Sequence, residues 1–146
     1  MKAARSERIQ LVVDLVKRSE EQAAVNMQSA RTTLENDEQR LAELEEYYRG
    51  YQQRSGEPNQ VVQSWQLANS REFLHHLSDA IRQQEIQVQR DREQYERCLE
   101  QWQKIHLKYK SLKDFKRELA QGEALEIDKR AQRLQDDQTL IRLARR

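Results

Sequence analysis

The side chains whose chemistry could serve a reaction or a metal are His75, His76, His106, Cys98 and a large supply of carboxylates. His75 and His76 are adjacent, so on a helix they point about 100° apart and cannot share a metal as an i, i+4 pair would. His106 follows thirty residues later. All three read as solvated or rim histidines. A catalytic thiol needs a lowered pKa and an oriented base, and no spacing around Cys98 supplies either. Three glycines in the whole chain cannot build a phosphate loop. No catalytic, cofactor-binding or metal-binding residue is expected, and the chain does not read as an enzyme. The informative side chains are aromatic: Tyr47 and Tyr51 four apart, and Phe73 and Leu77 four apart. Such pairs make contact surface rather than chemistry.

The elements that must position them are long helices. Of 146 residues, 35% are charged and 36% hydrophobic, and the net charge is +1. That is too little apolar material for a layered core and enough for one apolar seam, and enrichment in Glu, Gln, Arg, Leu and Ala suits long helices. A near-neutral charge gives no bulk field for nucleic acid or anionic lipid. A single cysteine excludes an internal disulfide and suits a reducing compartment. The start, Met-Lys-Ala-Ala-Arg-Ser-Glu-Arg, is followed by a short apolar run, Leu11 to Val13, cut by Asp14. It does not read as a secretory signal, and no stretch is long enough to span a membrane. A cytoplasmic location is expected.

Residues 50–60 organise the rest. Gly50, Gly56 and Pro58, two of the three glycines and the only proline, fall in this stretch. Such breakers between two long breaker-poor segments predict a turn at about 54–60, joining helices over about 5–53 and 61–142 within a single coiled-coil domain. Both segments carry heptads. The first has Ile9, Val16, Ala23, Ala30, Asp37, Leu44 and Tyr51 in one series, and Val13, Glu20, Met27, Leu34, Leu41 and Tyr48 in the other. The second has Leu74, Ile81, Val88, Tyr95, Trp102, Tyr109 and Lys116, with Leu77, Gln84, Asp91, Cys98, Ile105, Leu112 and Leu119. The polar breaks are Glu20, Asp37, Gln84, Asp91 and Lys116. Two independent registers exclude a disordered polar chain.

The predicted fold is all-α: two long helices in an antiparallel coiled-coil hairpin, the second longer and overhanging. At about 1.5 Å per residue the helices span roughly 70 and 120 Å. Folded back, the first should reach to about residue 105, leaving Leu112, Phe115, Leu119, Leu125, Ile127, Leu134, Leu140, Ile141 and Leu143 without an intramolecular partner. An apolar stripe on a lone helix calls for a partner in another chain. Gly122 marks a weak point or kink there. Residues 111–146 hold nine Lys/Arg against seven Asp/Glu, with Arg142, Arg145 and Arg146 at the end. An acidic partner would suit them, and so would the helix macrodipole alone. The competing architecture is a parallel dimer, which would satisfy both seams between chains.

Three stretches carry a family likeness. Leu44-Glu-Glu-Tyr47-Tyr-Arg-Gly-Tyr51 precedes the turn. Asn69, Phe73, Leu77 and Ala80 follow it at helical spacing. Gln132-Arg-Leu-Gln-Asp136-Asp137 lies near the C-terminus, with Arg and Asp where the family pattern has Lys and Glu. In these elements, their order and the chain length, the sequence resembles the flagellar FliJ family, components of the bacterial flagellar type III export apparatus. The resemblance implies a non-enzymatic hairpin similar to the central stalk of F-type ATP synthases, monomeric when free. It implies helix ends that insert into the export ATPase hexamer and promote its assembly and activity, with Leu125, Lys129, Gln132, Arg133 and Asp136 as the ring contact. It implies docking on the cytoplasmic domain of the export gate through Leu44, Tyr47, Tyr51, Phe73, Leu77 and Ala80, with Arg40 and Gln84 as polar members. It further implies handling of export chaperones, no nucleic acid, no membrane insertion, and peripheral association with the inner membrane through the apparatus. A virulence-type injectisome stalk shares the hairpin plan, and a generic parallel coiled coil is the reading from another class.

Overall fold

The computed structural model describes residues 5–55 and 64–145. They form two helices, α1 (Arg5–Ser55) and α2 (Ser64–Ala144), and no strand occurs among the described residues. Gly56 and Pro58 of the predicted turn lie outside them. Gly50, within the span expected for the first helix, belongs to α1. It sits inside α1 with no positive φ, and Arg54 and Ser55 continue the helix beyond it. A helical glycine costs only about 1 kcal/mol, which fifty other helical residues outweigh. Gly122 is likewise an ordinary helical residue of α2.

The two helices pack against each other in an all-α hairpin, so the seams meet within one chain. Contacts divide the chain into two units, Ala23–Trp102, and Met1–Gln22 with Gln103–Arg146. In the first, Tyr51 meets Phe73 and Asp37 meets Gln84, so numbering falls along α2 as it rises along α1. In the second, Ser6 meets Glu123 and Glu20 meets His106, again antiparallel.

Burial follows the heptads. In the Ala23–Trp102 unit the tightest apolar positions are Ala23, Leu34 and Val88, and in the other unit Val13. The remaining seam residues named above are half-buried, except Asp91, which is buried, and Tyr51, which is exposed. Two helices can cover only one stripe of each other, and no side chain among the described residues is completely enclosed.

α1 reaches further along α2 than its length suggested. Ser6 bonds Glu123, well past residue 105. α1 is two residues longer than expected and α2 begins at Ser64. Side chains on a helix also lean toward its N-terminus, so the Glu123 carboxylate reaches back over the first turn of α1. Past Glu123, all described residues of α2 are exposed.

Candidate docking faces

Leu44, Tyr47 and Tyr51 follow one another at three and four residues on α1, and Phe73, Leu77 and Ala80 at four and three on α2. Each trio therefore lines one face of its helix. The Tyr51 and Phe73 rings lie 4.5 Å apart between centroids, tilted by 36°. Antiparallel helices rise equally per residue, so this contact sets Tyr47 level with Leu77, and Leu44 level with Ala80. The six residues thus share one stretch of the Ala23–Trp102 unit. They are not equivalent. Leu44 and Leu77 are half-buried in the seam, whereas Tyr47 is 66% exposed, Phe73 44% and Tyr51 37%, and Ala80 also faces out. An exposed cluster of three rings is the composition of a binding hot spot.

Four residues that the aromatic pattern did not single out complete this face. Glu43, Glu46, Gly50 and Arg54 line an open groove with Tyr47 and Tyr51. The Arg54 guanidinium lies 5.9 Å from the centre of the Tyr51 ring, within cation–π range. At Gly50 a Cβ would meet nothing within 4 Å. Glu43, Gly50 and Arg54 stand at three, four or seven residues from Tyr47 or Tyr51, so helical spacing could have found them; Glu46, next to Tyr47, has no such signal. Arg40 is exposed. Gln84 is not part of the outward face: its Nε2 donates to the Asp37 carbonyl at 3.0 Å and to Asp37 Oδ1 at 3.3 Å, across the seam.

In the other unit, Leu125, Lys129, Gln132, Arg133 and Asp136 are all exposed on α2. Spacings of four, three, one and three keep them on one side of the helix. Leu125, Ile127, Leu134, Leu140, Ile141 and Leu143 are each between 53% and 65% exposed. Nearer α1, Lys17, Lys113, Lys116 and Arg117 border one groove together with Asp14 and Tyr109. The Lys113 ammonium lies 5.3 Å from the centre of the Tyr109 ring. Thus Lys116, a polar break in the heptads, is half-buried in a groove where four cations outnumber the single acid, Asp14.

The Ser6–Glu123 contact is an interhelical cap. Glu123 Oε1 accepts from the Ser6 backbone N–H at 3.2 Å, and Oε2 accepts from Ser6 Oγ at 2.5 Å. The first N–H groups of a helix lack partners in their own helix and favour negative charge. The Ser6 hydroxyl, then its backbone N–H, hold the Glu123 carboxyl below the usual glutamate value, with a smaller contribution from Arg5.

His75 and His76 are exposed and face Asp79 and Glu72 at 3.6 and 3.7 Å, each four residues away on α2. His106 is half-buried, its Nδ1 3.4 Å from Oε1 of Glu20, another polar break in the heptads. Cys98 is half-buried in the seam and accepts from Gln94 Nε2 at 3.5 Å. Among the described residues no three metal-binding side chains come together, and no helix is long and apolar enough to cross a membrane.

No characterised protein and no solved structure matches the chain in direct comparison. The hairpin, its aromatic face beside the predicted turn and its exposed C-terminal helix agree with a match of different kind: the family model of the flagellar FliJ protein covers residues 5–146, and the chain belongs to that family of flagellar export-apparatus proteins.

Proposed function

We propose that the chain is a non-enzymatic stalk of the flagellar type III protein export apparatus. It binds the export ATPase ring through the Met1–Gln22 and Gln103–Arg146 unit, with Leu125, Lys129, Gln132, Arg133 and Asp136 in contact. It docks on the cytoplasmic domain of the export gate through Leu44, Tyr47, Tyr51, Phe73, Leu77 and Ala80, and it takes part in handling export chaperones. Its place is the cytoplasm, held peripherally at the inner membrane by its partners.

The observation that carries this reading is the stretch of α2 after Glu123. It keeps six large apolar side chains more than half exposed, and among the described residues no helix of its own chain covers it. A helix of that length with no packing partner gains its stability from another molecule. The cations around Lys116 add a surface suited to acidic groups.

The test is ATP hydrolysis by the cognate export ATPase, titrated with the full chain and with a chain ending at Ala124. That end point keeps the Ser6–Glu123 cap. Stimulation by the full chain alone supports a ring contact in the exposed helix. No stimulation by either, with an ATPase competent to form rings, refutes the stalk.

A further inference from the structure

Asp91 is the one buried charged side chain among the described residues, 8% exposed, at a seam position where the heptad places an apolar residue. Its Oδ1 accepts from Gln87 Nε2 at 3.0 Å, and its Oδ2 is buried without a hydrogen-bond donor. Across the seam stands Asp37, whose Oδ1 and backbone carbonyl both accept from Gln84. Among the described residues neither Asp37 nor Asp91 pairs with a cation. Arg92, the next residue on α2, turns to Glu38 of α1 at 3.5 Å. The groove beside Asp91 is lined from α1 by Asn26, Ser29, Ala30 and Thr33, and from α2 by Gln94 and Cys98. Asp37 is the charged group within hydrogen-bonding reach of Asp91 from α1, and Gln84 and Gln87 are the neutral neighbours of the pair on α2.

Two ionised carboxylates facing each other out of water repel, and each further desolvates the other. A single proton between them reverses this. It supplies the donor that the buried oxygen lacks and turns the repulsion into a charge-assisted hydrogen bond. We propose that Asp37 and Asp91 share one proton across the seam, and that the pair is a proton-operated clasp holding α1 and α2 in register within the Ala23–Trp102 unit. Burial above all, then the hydrogen bond and charge of Asp37, raise the Asp91 carboxyl above the ordinary aspartate value, against the opposing hydrogen bond from Gln87. In the unfolded chain Asp91 loses its proton near pH 4. In the folded unit it keeps the proton to higher pH. The clasp's contribution is therefore complete below the unfolded value and is lost as pH rises through the folded one. Acidification tightens this unit until other groups begin to titrate.

The test follows the Asp91 carboxyl carbon by NMR in the full chain from pH 3 to pH 8, with amide exchange of the seam residues corrected for its intrinsic pH dependence. The expected midpoint lies above the ordinary aspartate value. Each unit of that excess slows local opening about tenfold on the acid side. In Asp91→Asn the side-chain amide donates permanently to Asp37, so opening at neutral pH slows and its pH dependence disappears. A wild-type midpoint at or below the ordinary value overturns the clasp, whether or not the variant folds. So does an Asp91→Asn unit that opens faster by the same factor at every pH.

Discussion

Tyr47 separates docking from folding, because it belongs to the aromatic face and not to the seam. A tyrosine buries about 150–250 Å² when fully enclosed. Tyr47 keeps 66% of its surface open, so a partner can cover roughly 100–165 Å² more. At about 25 cal/mol per Å², that area is worth roughly 2.5–4 kcal/mol. Ordering costs and the methyl that alanine retains reduce the loss to about 2–3 kcal/mol. Tyr47→Ala should therefore weaken binding to the gate's cytoplasmic domain roughly 30- to 150-fold by calorimetry. The hairpin's own stability should change by no more than about 0.5 kcal/mol, as at exposed sites generally. Leu77→Ala is the contrast. It removes a half-buried seam side chain and should cost about 2 kcal/mol of folding stability as well as affinity. Stimulation of the export ATPase should survive Tyr47→Ala. Unchanged gate affinity with an unchanged melting curve would refute the docking face. A large fall in melting temperature would show instead that Tyr47 supports the hairpin.

Three further outcomes follow from the packing. Gly122→Ala should stabilise the chain by about 1 kcal/mol, raising the melting temperature by roughly 2–5 °C, because the added Cβ meets nothing within 4 Å; a lower melting temperature would contradict the helical setting. Leu34→Ala should cost about 2–3 kcal/mol in urea unfolding, the low end for a leucine truncation, since a two-helix seam lets neighbours and water close over the gap. Glu123→Gln should remove part of the acid sensitivity of melting: the lowered Glu123 pKa means its contribution is present above the ordinary glutamate value and is lost as pH falls through the folded one. A melting curve with the same slope between pH 5 and pH 3 in both proteins would show that the cap carries no linked charge.

The seam was legible because a heptad is a property of each helix alone. Residues from Ile9 to Tyr48 and from Leu74 to Leu119 that fit the pattern are buried or half-buried, including its polar breaks. Partners across the seam were not legible, because periodicity along one helix contains nothing about its register against another. Thus Asp37 read only as an interruption, and its bonds from Gln84 came with the structure. His106 read as a rim residue, and the side chain that faces it, Glu20, is a break on the other helix. Gly50 shows the limit of local propensity, which marks it as a breaker although α1 runs through it to Ser55. The cap at Ser6 was unreadable from local signals, since its acceptor lies 117 residues away.

These polar breaks explain how so thin a seam specifies one alignment. Apolar heptads alone tolerate a slide of seven residues, since each leucine or valine then meets another apolar position. Asp37, Gln84 and Asp91 do not. In the observed register Gln84 of α2 donates to Asp37 of α1 across the seam, whereas the Gln87–Asp91 bond lies within α2 and is the same in any register. A one-heptad slide would take Asp37 away from Gln84, and leaving a buried acceptor unpaired costs about 1–3 kcal/mol. Glu20 with His106, and Glu123 on the first turn of α1, impose the same condition independently in the other unit. Each unit therefore has its own register device. In the Ala23–Trp102 unit, that device keeps Tyr51 against Phe73 and so keeps the aromatic face assembled before any partner arrives.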